Sequence, residues 1–329
     1  MKRKVLIIGG AGYVGSQLTP KLLKLGYQVN VLDTFWYGDE FLKSLHNPKL
    51  CLIKGDMRDA NIVDEAMKDC SDVIHLACIS NDPSFDLNPN LGKSINLDSF
   101  LPIVKSAQTK GVGRFIYASS SSVYGVKEEE KVTEELELEP LTDYSKFKAE
   151  CEKILLDQDN GLMTSVIVRP ATVCGVSPRQ RLDLAVNILT INALVNNKIT
   201  VFGGKQFRPN LHIDDMCRSY IHLLQTPAEA VSRKIYNVGA KNHSLDEIAK
   251  SVREIVGKNI EIEHKETNDL RSYRVDSTRI KEEIGFSPKF DINHAIADLV
   301  KAYRDGEYKN PLNNPVYTNI NQMKELRLG

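Results

Sequence analysis

The stretch Val5-Leu-Ile-Ile-Gly-Gly-Ala-Gly-Tyr-Val-Gly15 lies near the start of this 329-residue chain. This stretch indicates the fold of the first half of the chain. Its four leading apolar residues predict a parallel strand that is buried on both faces. A glycine cluster then gives a tight turn, after which apolar residues recur at helical spacing, at Val14, Leu18, Leu22 and Leu25. The segment is therefore predicted to form a strand, a tight turn and a helix.

Gly9, Gly12 and Gly15 have the spacing of a dinucleotide-binding turn. One glycine makes a bend that a Cβ would obstruct, one lets the backbone approach a pyrophosphate, and one lets the helix touch the strand. The helix N-terminus adds unpaired N–H groups and partial positive charge. A second strand, residues 28–32, ends at Asp33, where a carboxylate accepts bonds from an adenosine ribose 2′-OH and repels a 2′-phosphate. We therefore predict NAD rather than NADP as the cofactor.

Length and composition narrow the class of protein. A chain of 329 residues predicts a large domain with a smaller one. Lys plus Arg equals Asp plus Glu at 43 each, which argues against charge-driven binding to nucleic acid or a membrane surface. The six cysteines show no zinc-ligand spacing, so we predict buried free thiols and no metal site. The apolar run near the N-terminus is too short for a signal peptide or a membrane span, and a cytoplasmic protein is expected.

Polar and aromatic residues follow the later strands of the first half. Phe35, Trp36 and Tyr37 are interpreted either as a cover for the adenine or as packing beneath their loop. Asp56, after the third strand, is placed either to bind the adenine amino group or to cap the next helix. His75, inside the apolar fourth strand, is interpreted as a core residue. The turn-forming residues 79–84 should border nicotinamide and substrate, and a long helix is predicted at about residues 90–110.

The proposed chemistry begins with a fifth strand, Arg114–Ala118, which delivers the serines Ser119–Ser122. A helix predicted from about Tyr144, with Thr142 or Asp143 as its cap, then places Tyr144 and Lys148 one turn apart on one face. A phenol with a pKa of about 10 is a poor base, but a nearby ammonium and an oxidised nicotinamide both favour the phenolate. Such a tyrosine can exchange a proton with a substrate alcohol while the nicotinamide exchanges hydride.

With these residues, the chain resembles the extended short-chain dehydrogenase/reductases of the nucleotide-sugar epimerase and dehydratase family. The motifs that carry the resemblance are Gly9 to Gly15, Asp33, Asp56-Met57, His75-Leu-Ala-Cys78, Asn96, the serines before Val123-Tyr-Gly125, Tyr144-x-x-x-Lys148 and Arg169-Pro-Ala-Thr-Val-Cys-Gly175. The resemblance implies an α/β fold, a doubly wound parallel Rossmann sheet with a smaller C-terminal α/β substrate-binding domain. The expected bounds are 1–175 for the NAD-binding domain, to which some later segments return, 176–309 for the nucleotide-sugar-binding domain and 310–329 for a C-terminal tail.

The resemblance also implies the residues of the site. The catalytic residues are Ser120, Tyr144 and Lys148. The cofactor-binding residues are Gly9, Gly12, Tyr13, Val14, Gly15, Asp33, Asp56, Met57, Leu76, Ala77, Cys78, Asn96 and Ser119, together with Tyr144 and Lys148. The substrate-binding residues are Ser80, Asn81, Ser120, Ser121, Thr172, Arg181, Asn187, Arg208 and Arg271.

Arginine suits a diphosphate because its planar fork pairs with phosphate oxygens. A simple surface charge is an equally open interpretation for Arg179 and Arg181, and a less favoured one for Arg208 and Arg271. The tail from Asn310 to Gly329 is expected either to lie over a neighbouring molecule or to be disordered.

The predicted function is that of an NAD-dependent nucleotide-sugar 4-epimerase. Dehydratases that resemble this chain carry an Asp-Glu pair after the catalytic hydroxyl, whereas Ser121 and Ser122 stand here, which disfavours dehydration. One alternative is a C4 dehydrogenase or 4-ketoreductase, and another is a non-catalytic dinucleotide-binding regulatory protein, although such proteins tend to lose the tyrosine and lysine. The resemblance also implies a homodimer through the helices near 90–110 and 144–157, and a role in bacterial surface-polysaccharide biosynthesis.

Overall fold

The computed structural model describes residues 3–159, 161–267 and 271–329. The strands are β1 Lys4–Ile8, β2 Gln28–Asp33, β3 Leu50–Lys54, β4 Asp72–His75, β5 Arg114–Ala118, β6 Thr164–Pro170, β7 Thr172–Cys174, β8 Lys198–Phe202, β9 Phe207–His212, β10 Lys234–Val238, β11 Lys241–Ser244 and β12 Glu261–Lys265. The α-helices are α1 Tyr13–Lys24, α2 Glu40–Ser44, α3 Ala60–Met67, α4 Asp82–Leu87, α5 Pro89–Lys93, α6 Phe100–Thr109, α7 Asp143–Asp157, α8 Ala185–Asn196, α9 Ile213–Gln225, α10 Ala228–Val231, α11 Leu245–Val256, α12 Thr278–Ile284, α13 Ile292–Arg304 and α14 Asn319–Glu325.

A parallel sheet organises the molecule. Within the described ranges it has seven strands, in the order β10-β6-β5-β4-β1-β2-β3. The strand order reverses between β1 and β4, and ligands of open α/β sheets bind in the crevice outside the carboxyl ends of the strands at such a point. The predicted doubly wound Rossmann sheet is confirmed.

Both faces of this sheet are buried, as the apolar run in β1 predicts. Val5 and Ile7 belong to one core cluster, whereas Leu6 and Ile8 belong to another, because successive side chains of a strand point to opposite faces. Helices α1 and α9 contribute to the first cluster, and α3, α6 and α7 contribute to the second.

A smaller core lies outside the large sheet. It is built from α8, α11, α13 and β8, with buried side chains that include Val186, Ile248 and Ile296. The strands beside it pair as β11-β9-β7 and as β12-β8. Of the later segments, α9 packs against the large sheet and β10 is one of its strands.

The long helix predicted at residues 90–110 is present, but a wider turn interrupts it. The chain forms α5, then a π-helical turn at Ser94–Asp98, then α6. Pro102 lies in the first turn of α6, and in an uninterrupted α-helix its ring would press on the carbonyl of Asp98. The wide turn directly before α6 relieves that clash and directs Asn96 inwards.

The alternative of a disordered C-terminal tail is wrong. The tail folds back onto its own chain through a 3-10 turn at Pro315–Tyr317 and helix α14. Met323 is buried in a core cluster of the large sheet, and the Asn88 side chain donates a hydrogen bond to the Leu328 carbonyl at 3.0 Å.

The remaining structural findings concern membranes and metals. Among the described helices, none combines the length and the apolar character that crossing a bilayer requires. The described residues also contain no group of three or more His, Cys, Asp or Glu side chains arranged for a metal ion.

Candidate active site

A cavity of about 630 Å³ lies at the carboxyl ends of β1, β2, β4, β5 and β6, within the usual size range of small-molecule sites. The predicted site residues that line it are Gly9, Gly12, Tyr13, Val14, Gly15, Asp33, Asp56, Met57, Leu76, Ala77, Cys78, Ser80, Asn81, Ser119, Ser120, Ser121, Tyr144, Thr172, Arg181, Arg208 and Arg271. The predicted residues outside this lining are Asn96, Lys148 and Asn187.

The glycine turn has the space that a dinucleotide requires. Gly9 adopts a φ of +85°, and a Cβ there would lie 2.6 Å from the backbone nitrogen of Ala77. A Cβ on Gly15 would lie 2.5 Å from the Cα of Gly10, so the glycine allows α1 to touch the turn. At Gly12, which precedes α1, a Cβ would lie 3.3 Å from the Gly9 carbonyl oxygen within the turn, and no other atom outside its chain neighbours and helix α1 lies within 4 Å. The residues therefore fit a diphosphate at the N-terminus of α1.

Asp33 is held rigidly at the end of β2. One carboxylate oxygen accepts a hydrogen bond from the backbone N–H of Ala11, and the other accepts one from Phe35, both at 2.9 Å. Burial raises the pKa of Asp33, and these two bonds oppose the shift. The aromatic residues that follow divide between the two interpretations, because Phe35 packs against the core whereas Trp36 and Tyr37 line the cavity.

Asp56 forms an ion pair with Arg58 at 2.6 Å, which lowers the pKa of the Asp56 carboxyl. The helix after it is capped by Asp59, whose side chain accepts a hydrogen bond from the Asn61 N–H at 2.9 Å. The alternative that Asp56 caps this helix is therefore wrong.

Tyr144 stands in the first turn of α7. Thr142 caps this helix through a capping box with Ser145, so the open choice of cap is settled. The Tyr144 side chain is half-buried and lies beside Ser120, whose hydroxyl pairs with the Ser122 hydroxyl at 2.8 Å. Burial raises the pKa of Tyr144, and the Ser120 hydroxyl and the charge of Arg181 act in the opposite direction. Desolvation of the phenolate dominates in the protein alone, and the tyrosine pKa lowered by a bound oxidised nicotinamide stays a prediction.

Lys148 lies one turn further along α7 and is buried. Its Nζ donates a hydrogen bond of 2.7 Å to the Ala118 carbonyl at the end of β5. The same atom is 5.9 Å from the centroid of the Tyr144 ring. Lys148 therefore lies behind the tyrosine rather than at the cavity surface.

The serine stretch rests on a buried polar network. Ser120 caps the 3-10 turn Ser121–Tyr124 by accepting a hydrogen bond from the Ser122 N–H at 3.1 Å. The Ser119 hydroxyl donates to Glu152, which forms a buried ion pair of 2.6 Å with Arg169. The backbone next to Ser120 is thus held by the buried ion pair of Glu152 and Arg169, which does not line the cavity.

Two predicted ligands are structural residues. Asn96 was predicted to bind the cofactor, but its side chain accepts from the Ile79 N–H at 2.8 Å and donates to the Ile79 carbonyl at 2.9 Å. Asn187 was predicted to bind substrate, but it is fully buried and bonds to Gly175, Tyr13 and Arg181. Each side-chain amide forms hydrogen bonds with the backbone that shapes the cavity.

The arginines lie in different settings. Arg181 is buried, pairs with both oxygens of Asp183 at 2.9 and 3.1 Å, and donates to the Ser80 hydroxyl at 3.1 Å. Arg271 forms an ion pair with Asp82 at 2.5 Å, and Arg208 donates to the Arg271 carbonyl. The surface-charge interpretation is wrong for Arg179 as well as for Arg181, since both side chains are buried.

The site also contains a residue that no motif or spacing in the sequence indicates. Asn319, from the C-terminal helix α14, lines the cavity and is buried. Its contacts are to Ser80, Arg179 and Asp183, far away in the sequence. No local pattern marks such a residue, because its role depends on where the tail folds.

Residues 5–239 match the family model described as the NAD dependent epimerase/dehydratase family. The chain belongs to this family. NAD is thereby confirmed as the cofactor at the level of the family, and the chain is an NAD-dependent enzyme of the extended short-chain dehydrogenase/reductase type. This finding argues against the non-catalytic alternative.

Individual relatives carry different activities. A UDP-glucose 4-epimerase from Lactobacillus helveticus is 27% identical over 324 residues, which cover 92% of this chain and 97% of that protein. A dTDP-glucose 4,6-dehydratase from Streptomyces niveus is 26% identical over 337 residues, covering 95% and 96% of the two chains. The crystal structure of UDP-glucuronic acid 4-epimerase from Bacillus cereus, with UDP-glucuronic acid and NAD, has a TM-score of 0.83 and 26% identity, and covers 93% of this chain and 100% of that one. Membership of the family therefore does not determine which of these reactions the chain catalyses.

Proposed function

We propose that this protein is a nucleotide-sugar 4-epimerase that works through a transient 4-keto sugar. The observation that carries the proposal is that Tyr144 and Ser120 lie side by side on the wall of the cavity. The two residues after Ser120, Ser121 and Ser122, also line the cavity and offer only hydroxyl groups. This arrangement can move a proton at one carbinol carbon, and it lacks an added acid and base for the loss of water.

Tyr144 would take the proton of the C4 hydroxyl and later return it. Bound NAD supplies the complementary chemistry, the acceptance and return of hydride at C4 of the nicotinamide. Ser120, which lies beside Tyr144, would hold the oxygen of the substrate in line with the phenol. Lys148 provides a fixed positive charge one turn behind the ring, and this charge favours the phenolate that burial otherwise disfavours.

The carboxylates of the cavity do not provide an alternative acid and base for dehydration. Among the described lining residues, Asp56 is paired with Arg58, Asp82 with Arg271, and Asp183 with Arg181. Asp33 accepts two backbone N–H groups at the other end of the cavity from the serines. A serine hydroxyl at position 121 or 122 cannot replace the missing carboxylates, because it does not ionise near neutral pH.

Epimerisation also requires that the keto sugar present both faces to the same cofactor. We propose that Arg208 and Arg271, which line the cavity, hold the diphosphate of the sugar nucleotide. With that end fixed, the sugar can turn within a cavity of about 630 Å³. The Bacillus cereus structure, a 4-epimerase with its sugar nucleotide and NAD, supports this choice of substrate class.

The test is to incubate the purified protein with UDP-, GDP- and dTDP-sugars in D₂O, with absorbance at 340 nm and NMR as readouts. Epimerisation predicts a C4-inverted product with no carbon-bound deuterium and no net change in reduced nicotinamide. Stoichiometric formation or consumption of NADH would show a C4 dehydrogenase or 4-ketoreductase instead. Deuterium at C5 or C6 of a 4-keto product would show a dehydratase and would end the proposal.

The proposed assembly is a homodimer that pairs α6 and α7 of each subunit. Leu101, Phe147 and Ile154 on these helices are apolar and only partly buried within the single chain. Light scattering of the purified protein tests this prediction, and a monomer at micromolar concentration would contradict it. The cytoplasmic location and the role in polysaccharide biosynthesis also stay predictions.

A further inference from the structure

The loop between β7 and α8 is fixed to the first turn of α1. The Ser177 hydroxyl donates a hydrogen bond of 2.6 Å to the Tyr13 carbonyl, and the backbone N–H of Arg179 donates one of 3.1 Å to the Ser16 hydroxyl. Arg179 is therefore attached to the same turn that leaves the N-terminus of α1 open to the cavity, and its side chain lines that cavity. The loop belongs to the cofactor half of the site.

Arg179 is a buried cation that forms no ion pair with any carboxylate of the described residues, although Asp33 and Asp183 lie near enough to interact with its charge. Its side chain is only 7% exposed, and its Nε has no hydrogen-bond partner in the described part of the chain. Its Nη2 donates to the amide oxygen of Asn319, and its guanidinium carbon lies 3.7 Å from the centroid of the Tyr37 ring. Arg181, two residues away, instead has a bidentate carboxylate partner in Asp183.

Burial of a guanidinium without a counter-charge is unfavourable. Burial lowers the pKa of Arg179 to about 10, so the guanidinium is still charged at neutral pH. A buried positive charge on the wall of an open cavity is expected to meet an anion from the ligand. A guanidinium fork and a helix N-terminus are both well suited to phosphate oxygens.

Asn319 fixes the orientation of this guanidinium. Its side-chain amide donates to the Ser80 hydroxyl at 2.8 Å, and its backbone N–H donates to Asp183 at 3.1 Å. Its helix is tied down further by a hydrogen bond of 2.8 Å from Gln322 to the Trp36 carbonyl. An amide oxygen is a neutral acceptor, so it orients the arginine without neutralising it.

We propose that Arg179 binds the diphosphate of NAD opposite the N-terminus of α1, and that Asn319 positions it, so that the C-terminal helix is part of the cofactor site. The diphosphate of the sugar nucleotide is the other source of this chemistry. The contacts with Tyr13, Ser16 and Tyr37 favour the cofactor, because they belong to the glycine turn and to the loop after β2. The inference rests on the NAD cofactor and is independent of which reaction follows.

The test measures binding of NAD, ADP-ribose, adenosine and UDP to protein freed of nucleotide. Calorimetry gives the affinities, and quenching of Trp36, the single tryptophan of the chain, gives a second reading from inside the cavity. Arg179→Gln should weaken NAD and ADP-ribose by about 10- to 100-fold, while adenosine and UDP change by less than about twofold. Arg304→Gln is the matched control, because it removes one positive charge at an exposed helix end. It should leave all four affinities unchanged.

A second pair of variants tests the positioning role. Asn319→Ala should weaken NAD by a smaller factor than Arg179→Gln, whereas Asn321→Ala, exposed on the same helix, should not. In the Arg179→Gln background, Asn319→Ala should have no further effect on NAD affinity, because it acts through the arginine. Circular dichroism on every variant confirms that the fold is retained.

Several results would overturn the inference. Unchanged NAD affinity in Arg179→Gln would do so, as would a loss confined to UDP, which would assign the arginine to the substrate. Additive losses in the double variant would remove the positioning role of Asn319. Failure of the epimerase proposal would leave these binding results unaffected, so the two failures are distinguishable.

Discussion

The Nζ of Lys148 lies 5.9 Å from the centroid of the Tyr144 ring while it donates a hydrogen bond to the end of strand β5. The lysine is thus held by the sheet and the tyrosine by the cavity wall, although both belong to helix α7. The ammonium of Lys148 lies over the ring without touching the phenol, whereas the Ser120 hydroxyl is the neighbour that lowers the Tyr144 pKa. This division separates the two effects experimentally.

Tyr144→Phe should reduce turnover by about 10²- to 10⁴-fold, the usual value of a general acid–base group, because the ring is kept and the proton carrier is lost. NAD affinity should change little, since the hydroxyl lies beside Ser120 rather than at the glycine turn. Steady-state kinetics and NAD titration measure the two quantities. Unchanged turnover would remove Tyr144 from the mechanism.

Ser120→Ala should shift the pH profile of kcat/KM towards higher pH. The Ser120 hydroxyl lowers the Tyr144 pKa against the larger effect of burial, so its removal raises that pKa further. At any pH below that value a smaller fraction is phenolate, and the rate falls accordingly. Profiles measured between pH 6 and 10 would contradict this if the rising limb of the variant coincided with that of the wild type.

Asp33→Asn should reduce the preference for NAD over NADP by about 10- to 100-fold. The substitution keeps the shape of the side chain and removes the negative charge that repels a 2′-phosphate. It also turns one of the two acceptors of the backbone N–H groups of Ala11 and Phe35 into a donor, which should cost about 1–2 kcal/mol of stability. Asp56→Asn is the control, because it should affect both dinucleotides alike.

Local patterns were sufficient for the parts of the fold that depend on neighbouring residues. The glycine turn, the short apolar strands and the start of α7 after Thr142 each follow from a few consecutive side chains. His75 was correctly interpreted as a core residue because its strand is apolar on both faces. These features need no knowledge of the rest of the chain.

The errors concern side chains whose partners are distant. Asn96 and Asn187 stand where family motifs place functional groups, yet their amides bond to backbone that the sequence does not show to be near. The contact between Arg179 and Asn319 spans 140 residues, and no periodicity links them. Such contacts follow from tertiary packing, which composition and spacing do not reveal.

Glu152→Gln should destabilise the protein by about 3–5 kcal/mol, because it leaves the buried guanidinium of Arg169 without its carboxylate. The serine stretch should also become less fixed, since the Ser119 hydroxyl donates to the same carboxylate. Urea denaturation measures the free energy of unfolding. Glu150→Gln, exposed on the same helix, is the control and should change it by less than about 0.5 kcal/mol.

His75→Phe should make the protein more resistant to acid. The imidazole is buried and lies 5.5 Å from the ring centroid of Phe100, and burial lowers its pKa to about 3. The unfolded chain binds this proton near pH 6.5, so the wild type is fully stabilised above that pH and loses stability as pH falls towards 3. The loss is about 1.4 kcal/mol per pH unit, and phenylalanine removes it.

Urea unfolding at pH 7, 6, 5 and 4 measures the effect directly. The free energy of unfolding of His75→Phe should rise relative to the wild type at each step below pH 6.5, whereas His46→Asn, at an exposed position, should follow the wild type. Parallel curves for His75→Phe and the wild type would show that the imidazole is not held neutral in the folded core. That result would mean that the His75 imidazole is protonated in the folded protein and donates to a hydrogen-bond acceptor.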